Sequence, residues 1–189
     1  AIADARESAQ DQAQELLKVY AERARTQGFA YSEPDQVYAE FEARFPYTET
    51  RDQLRAIRSI LKDMCMAKPM DHLLCGDVGF GKTEVAMRAA MKAVLDGKQV
   101  VVLVPTTILA AQHTKSFRDR FAYTQFRIAQ LSRFITAEQQ RKVKDELRRG
   151  EIDIVVGTHS VLQKSVEIPR LGLLILDEEH RFGVKDKER

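Results

Sequence analysis

The chain has 189 residues, of which 44% are hydrophobic and 31% charged, with no Trp. That length holds one domain-sized core, since a domain takes roughly 100–200 residues, and the ordinary apolar fraction excludes a disordered or collagen-like chain. The 30 basic and 28 acidic residues leave a net +2, no apolar run approaches the roughly 20 residues of a membrane helix, and AIADARESAQ lacks the order of a secretory signal.

A cytoplasmic protein with no membrane partner is therefore expected. Cys65 and Cys75 are too few for a disulfide framework. Charge is unevenly spread. Residues 1–50 carry 5 basic and 10 acidic side chains, and residues 51–189 carry 25 and 18. A basic body suits a polyanionic partner, although surface solvation accounts for the same numbers.

In chain order, Ala9, Ala13, Leu16, Leu17, Tyr20 and Ala24 recur at helical steps and predict a helix that stops at Gly28. Ser32 followed by Asp35 resembles a capping box for a short helix with Val37, Phe41 and Phe45 on one stripe, ended by Pro46. Residues 1–45 thus read as a helical appendage to a body of residues 46–189.

In that body, helices and short apolar strands alternate. A helix from Arg51 turns Leu54, Ile57, Leu61 and Met64 inward; strand His72–Cys75 follows, then a helix after Lys82 and strand Gln99–Val104. A helix after Thr107, strand Arg127–Leu131, helix Thr136–Arg149, and strands Ile152–Val156 and Leu173–Leu176 complete the set. Runs such as VVLV, IDIVV and LLIL predict strands buried on both faces. The alternation implies an α/β fold with a parallel sheet covered by helices.

The run Gly76-Asp77-Val78-Gly79-Phe80-Gly81-Lys82-Thr83 satisfies G-x-x-x-x-G-K-[ST], between an expected strand and an expected helix. Its glycines let successive N–H groups face phosphate oxygens, and the helix N-terminus adds positive charge. Lys82 is then the β- and γ-phosphate contact, and Thr83 a Mg²⁺ ligand. Asp177, Glu178, Glu179 and His180 follow the last apolar run, at a strand end of the kind that faces ligands in such sheets. Asp177 suits Mg²⁺ through water, and Glu178 suits the base that orients an attacking water. A solvated helix start accounts for the same acidic residues.

Several positions have two readings. Thr50 and Gln53 form a capping box, or Gln53 reads an adenine edge. Thr106-Thr107 and Gly157-Thr158-His159 are polar strand-end loops, suited either to helix capping or to a nucleic-acid backbone. His72, His113 and His159 read as structural, and D-E-E-H is not a zinc arrangement. Cys75 reads as a small buried strand residue. Arg141, Lys142, Lys144, Arg148 and Arg149 read as a solvated helix face, and Arg181, Lys185, Lys187 and Arg189 as a basic tail.

Together, GDVGFGKTEVAMRAA, LVPTTILAAQH, GTHSVLQ and LLILDEEHRFGVKDKER resemble the first motor lobe of the superfamily-two nucleic-acid translocases. Within that family the bacterial transcription-repair-coupling factors and the RecG branch-migration helicases look most similar, and Glu179 favours the former. The resemblance covers most of residues 46–189. It implies a RecA-like lobe that binds ATP and Mg²⁺ and grips double-stranded DNA, with Lys82, Asp177 and Glu178 as the catalytic set. It also implies that Gln53 reads adenine, that Thr106, Thr107 and Thr158 touch the DNA backbone, and that His180 relays between the two sites. Residues 1–27 resemble the long helix entering the motor. RNA polymerase and excision-repair proteins are the implied partners, through modules outside these residues.

A Thr-Ala-Thr-Pro strand end and a second lobe with arginine fingers, both part of the family pattern, do not occur in the sequence. The sheet is therefore expected to lack a strand beside the P-loop strand, and the isolated chain to be inactive in turnover, since a missing arginine finger costs roughly 10³–10⁵ in rate. A small P-loop kinase and a non-catalytic docking module are the rival readings.

Overall fold

Helix starts follow the side chains able to satisfy the first free N–H groups. In the computed structural model, which describes residues 25–77 and 79–177, α1 (Gln36–Ala43) begins behind Asp35, whose carboxylate accepts from the Tyr38 N–H. Reciprocal capping boxes open α2 (Arg51–Met64), through Thr50 and Gln53, and a later helix, Ala137–Arg148, through Thr136 and Gln139. Helix α3 (Lys82–Leu95) starts at Gly81 with no side-chain cap. The expected leading helix over 1–24, Val78, Glu178, Glu179, His180 and the basic tail lie outside the described residues.

Four parallel strands follow: β1 (Gln99–Leu103), β2 (Ile128–Leu131), β3 (Ile154–Gly157) and β4 (Leu171–Leu176), in the spatial order β2-β3-β1-β4. Helix α4 (Thr107–Arg120) joins β1 to β2, and α5 (Ala137–Arg148) joins β2 to β3. Leu131 pairs with Gly157, Gly157 with Leu103, and Leu103 with Leu176. The C-terminal strand ends thus stand in one row.

Side chains alternate between the two faces of a strand, and the core divides accordingly. Val100, Val102 and Val104 join Ile154, Val156 and Leu173 beneath residues of α1 to α4. Val101 and Val155 face the other way, with Leu131, Ile152, Val161 and Leu147 of α5. Tyr31, Tyr38 and Phe41 are buried in the first of these clusters, so the chain from Tyr31 onward packs on the lobe.

Several expectations need correction. His72–Cys75 forms no strand. A strand exists only through a backbone ladder, and local alternation of apolar residues says nothing about a partner. Among the described residues β4 pairs with β1 alone, while His72 Nδ1 lies 3.1 Å from Asp63 of α2. Cys75 is exposed rather than buried, and both cysteines are free thiols. Ser32 does not cap α1: its N–H and hydroxyl donate to Asp96, each at 2.6 Å, and its oxygen accepts from Lys92. Tyr38 takes the inward place expected of Val37, which is 50% exposed. At Gly28 an added Cβ would stand 2.4 Å from the Lys68 backbone, so its small size serves a close chain crossing. Leu174 of β4 is exposed, so that strand is not buried on both faces.

Candidate functional site

The phosphate-binding motif folds as a tight loop into α3. Gly79 (φ +86°) and Gly81 (φ +76°) occupy left-handed backbone that side-chain-bearing residues rarely adopt. Lys82 Nζ donates to the carbonyls of Gly76 at 2.5 Å and Asp77 at 2.9 Å, so the loop curls round the ammonium. The other described α-helices with an assigned N-cap begin behind Asp35, Thr50, Thr106 or Thr136, each accepting a backbone N–H. α3 has no such acceptor. Its first N–H groups, with the positive end of the helix dipole, favour an anion.

Gln53 touches this loop directly. Its Oε1 accepts from the Thr50 N–H at 2.8 Å, which completes the cap, and its Nε2 donates to the Phe80 carbonyl at 2.6 Å. An added Cβ on Gly81 would meet that Nε2 at 2.3 Å. The cap and the loop contact thus share one buried amide, and α2 is tied to the loop. The capping reading of Gln53 holds.

Asp177 follows β4, with its N–H on the Leu103 carbonyl at 2.9 Å. Its Oδ2 lies 3.0 Å from His113 Nε2 on α4. His113 is therefore more than a packing residue, because it ties the helix that begins at Thr106-Thr107 to the strand-end carboxylate. Thr106 caps α4 by accepting from the Leu109 N–H at 3.2 Å, and Thr107 is half-buried beside it. Gly157 is buried, and a Cβ there would stand 2.3 Å from Val161 and 2.4 Å from the Leu131 carbonyl oxygen. Thr158 Oγ1 lies 3.2 Å from Ser160, and His159 is exposed. These loops share the edge where ligands bind in open α/β sheets.

An ionic network behind the loop is not legible from the motifs. Arg88 is 1% exposed and holds Glu84 at 2.7 Å, Glu42 at 2.6 Å and also Glu49. Arg120 joins Glu84 at 2.9 Å and donates to the Phe41 carbonyl. Burial pulls the Arg88 pKa down, but hydrogen bonds to Glu84 and Glu49 outweigh it and hold it up. Glu49 is held below the usual carboxylate range by its own backbone N–H and then by Arg88. The available signal was Glu84 and Arg88, an i,i+4 pair within the otherwise mostly apolar helix KTEVAMRAAMKAVL.

Among the described residues no group of three or more His, Cys, Asp or Glu could cage a metal, and no helix is long and apolar enough to cross a membrane. The oxygen donors Thr83 and Asp177 suit Mg²⁺, which keeps much of its water and takes few protein ligands.

Comparison with known proteins gives a consistent picture. Residues 50–189 match the family model described as DEAD/DEAH box helicase. The transcription-repair-coupling factor of Escherichia coli strain K12 is 55% identical over 185 residues, which is 98% of this chain and 16% of that protein. The factor of Bacillus subtilis strain 168 is 54% identical over 182 residues, 96% of this chain and again 16% of that protein. The chain thus spans about a sixth of the length of these relatives. A solved structure of RecG bound to a three-way DNA junction aligns with TM-score 0.81 and 39% identity over 88% of this chain and 23% of that one. The UvsW helicase of bacteriophage T4 aligns with TM-score 0.61 at 15% identity, over 92% of this chain and 63% of that one, a likeness of fold alone. The parallel sheet with its covering helices is the RecA-like α/β fold.

Proposed function

The chain belongs to the DEAD/DEAH box helicase family, and from that premise we propose that it is the ATP-binding lobe of a double-stranded DNA translocase acting in transcription-coupled repair. The observation that carries this reading is the glycine loop wound round Lys82 ahead of a helix with no side-chain cap. Such a loop offers backbone N–H groups and an ammonium to a triphosphate at the positive end of the helix dipole.

In this proposal, Gly76, Asp77, Val78, Gly79, Phe80 and Gly81 supply the cradle. Lys82 exchanges two carbonyls for β- and γ-phosphate oxygens. Thr83 and Asp177 hold Mg²⁺, which when bound neutralises charge on the phosphates. Glu178 orients and deprotonates the attacking water. Gln53 sets the loop's position through Phe80 and offers its remaining amide hydrogen to adenine. Thr106, Thr107, Gly157, Thr158 and His159 hold the DNA backbone, and His180 relays between the two sites.

The functional unit is residues 46–189, with residues 1–45 leading into it and the stretch from Tyr31 moving with the lobe. Partners in the whole protein are RNA polymerase, which it removes when stalled, and excision-repair proteins, in a cytoplasmic setting that keeps Cys65 and Cys75 reduced. The lobe alone lacks an arginine finger and turns over negligibly. A RecG-like branch-migration role is the second reading, favoured by the 39% identity to RecG.

The test is binding of a fluorescent, non-hydrolysable ATP analogue with Mg²⁺ to the full-length protein, together with duplex-stimulated hydrolysis. Lys82→Ala is expected to weaken binding by about 10- to 150-fold, the worth of a charged hydrogen bond of roughly 1.5–3 kcal/mol, and to abolish hydrolysis. Unchanged affinity in that variant refutes the cradle. Hydrolysis that duplex DNA does not stimulate refutes the translocase reading.

A further inference from the structure

Two neighbouring elements hold the carboxylate read as a Mg²⁺ donor. β1 and β4 run side by side to Leu103 and Leu176, and the next N–H, that of Asp177, donates to the Leu103 carbonyl at 2.9 Å. β1 then leads into α4, and in the second turn of that helix His113 Nε2 lies 3.0 Å from Asp177 Oδ2. An ionised carboxylate only accepts, so the imidazole N–H donates. The helix is well anchored beneath this contact. Ala110 and Phe117 are fully buried and Thr114 is nearly so. Arg120 lies two turns beyond His113 and hence on the same face, and it donates to both carboxylate oxygens of Glu84, at 3.0 and 2.9 Å. Glu84 follows Thr83, the other proposed Mg²⁺ donor, in the first turn of α3. One face of α4 thus orients the Asp177 side chain and grips the turn that carries Thr83.

We propose that His113 is a positioning residue for the metal site: its hydrogen bond holds the Asp177 carboxylate in the orientation that receives hydrated Mg²⁺. It thereby sets the Mg²⁺ concentration at which nucleotide binds. The inference rests on the reading of Asp177 as a Mg²⁺ donor. Mg²⁺ takes few protein ligands and demands a near-ideal octahedron, so the direction of each protein oxygen matters. The backbone bond to Leu103 places the residue, and the imidazole turns its carboxylate. His113 acts through Asp177 and not on the nucleotide. Hydrogen-bond partners of metal-bound groups are worth about 10- to 100-fold in metal affinity. The Asp177 side chain is 34% exposed against 16% for His113, so water competes for the carboxylate and the effect belongs at the low end of that range.

The experiment titrates Mg²⁺ into the full-length protein with a fluorescent, non-hydrolysable ATP analogue at fixed pH. His113→Ala is expected to raise the Mg²⁺ midpoint about tenfold and to leave affinity for the analogue in EDTA at the wild-type value. His113→Phe, which keeps the ring's bulk without the N–H, should do the same. His113→Gln, whose amide nitrogen stands in for Nε2, should restore the midpoint. Asp177→Asn should raise the midpoint as well, and adding His113→Ala to it should bring no further loss. A merely structural role gives equal losses with Mg²⁺ and in EDTA, and no rescue by glutamine. An unchanged midpoint in His113→Ala and His113→Phe, equal losses in both conditions, or additive losses in the double variant overturns the proposal. A wild-type midpoint in Asp177→Asn overturns the metal assignment of Asp177 itself, and this inference with it.

Discussion

Replacing Arg88 with Met tests whether the lobe is held together behind its phosphate loop by one buried cation. Arg88 gathers Glu84 from its own helix, Glu42 from α1 and Glu49 from the segment before α2. The side chains of Glu42 and Glu49 are 39% and 22% exposed, so water recovers much of their loss; Glu84 is 7% exposed. Breaking a buried pair from one side costs about 3–5 kcal/mol. Arg120 still holds Glu84 at 2.9 Å, which puts the expected cost near the low end, about 3 kcal/mol. For a chain of this size each kcal/mol moves the thermal midpoint by roughly 2–4 °C, so the variant should melt about 6–12 °C lower. Adding Glu49→Gln to Arg88→Met should recover part of the loss, because Glu49, which among the described residues only Arg88 pairs, is then neutral, while Arg120 keeps Glu84. Thermal unfolding followed by circular dichroism reads both. A shift under about 1 °C in the single variant, or a double variant no better than the single, would refute the argument.

Further outcomes follow from other contacts. Tyr38 is 1% exposed and its hydroxyl is the one buried side-chain polar atom without a partner among the described residues, so Tyr38→Phe should leave stability unchanged or raise it by up to about 1 kcal/mol in urea unfolding. Tyr31 donates to the Gly172 carbonyl at 2.7 Å, and burial, then Asp96, push its pKa up to about 12. Since the folded state holds that proton more tightly, stability is full below the ordinary value of 10.0 and is lost as pH rises towards about 12; Tyr31→Phe should flatten the alkaline limb of the melting profile. Glu49 is the opposite case: its depressed pKa gives stability above the ordinary 4.5 that is lost as pH falls through the folded value, and Arg88→Met should reduce this acid sensitivity. Gly81→Ala meets both a positive φ and the Gln53 amide at 2.3 Å, so nucleotide-analogue affinity should fall at least tenfold, with a stability loss of about 1–3 kcal/mol.

Much of this protein is local and therefore readable in one dimension. The parallel strands, the helices between them and the caps at Thr50 and Thr136 follow from period and from side chains that reach their own backbone three residues on. The phosphate loop is local too: its glycines, Lys82 and Thr83 lie within eight consecutive residues, and the helix dipole is supplied by the residues that follow. Tertiary structure decided whatever needed a partner from elsewhere in the chain. His72–Cys75 has the composition of a strand but no ladder among the described residues, Ser32 serves Asp96 and Lys92 rather than α1, and Leu174 of the outer strand β4 stays exposed. Arg88 and Glu84 show in sequence as an i,i+4 pair, yet only packing adds Glu42, Glu49 and Arg120. His113 meets Asp177 because β1, α4 and β4 converge at one edge of the sheet. Such contacts join residues tens of positions apart, and no periodicity records which distant group will satisfy a buried charge or an open backbone.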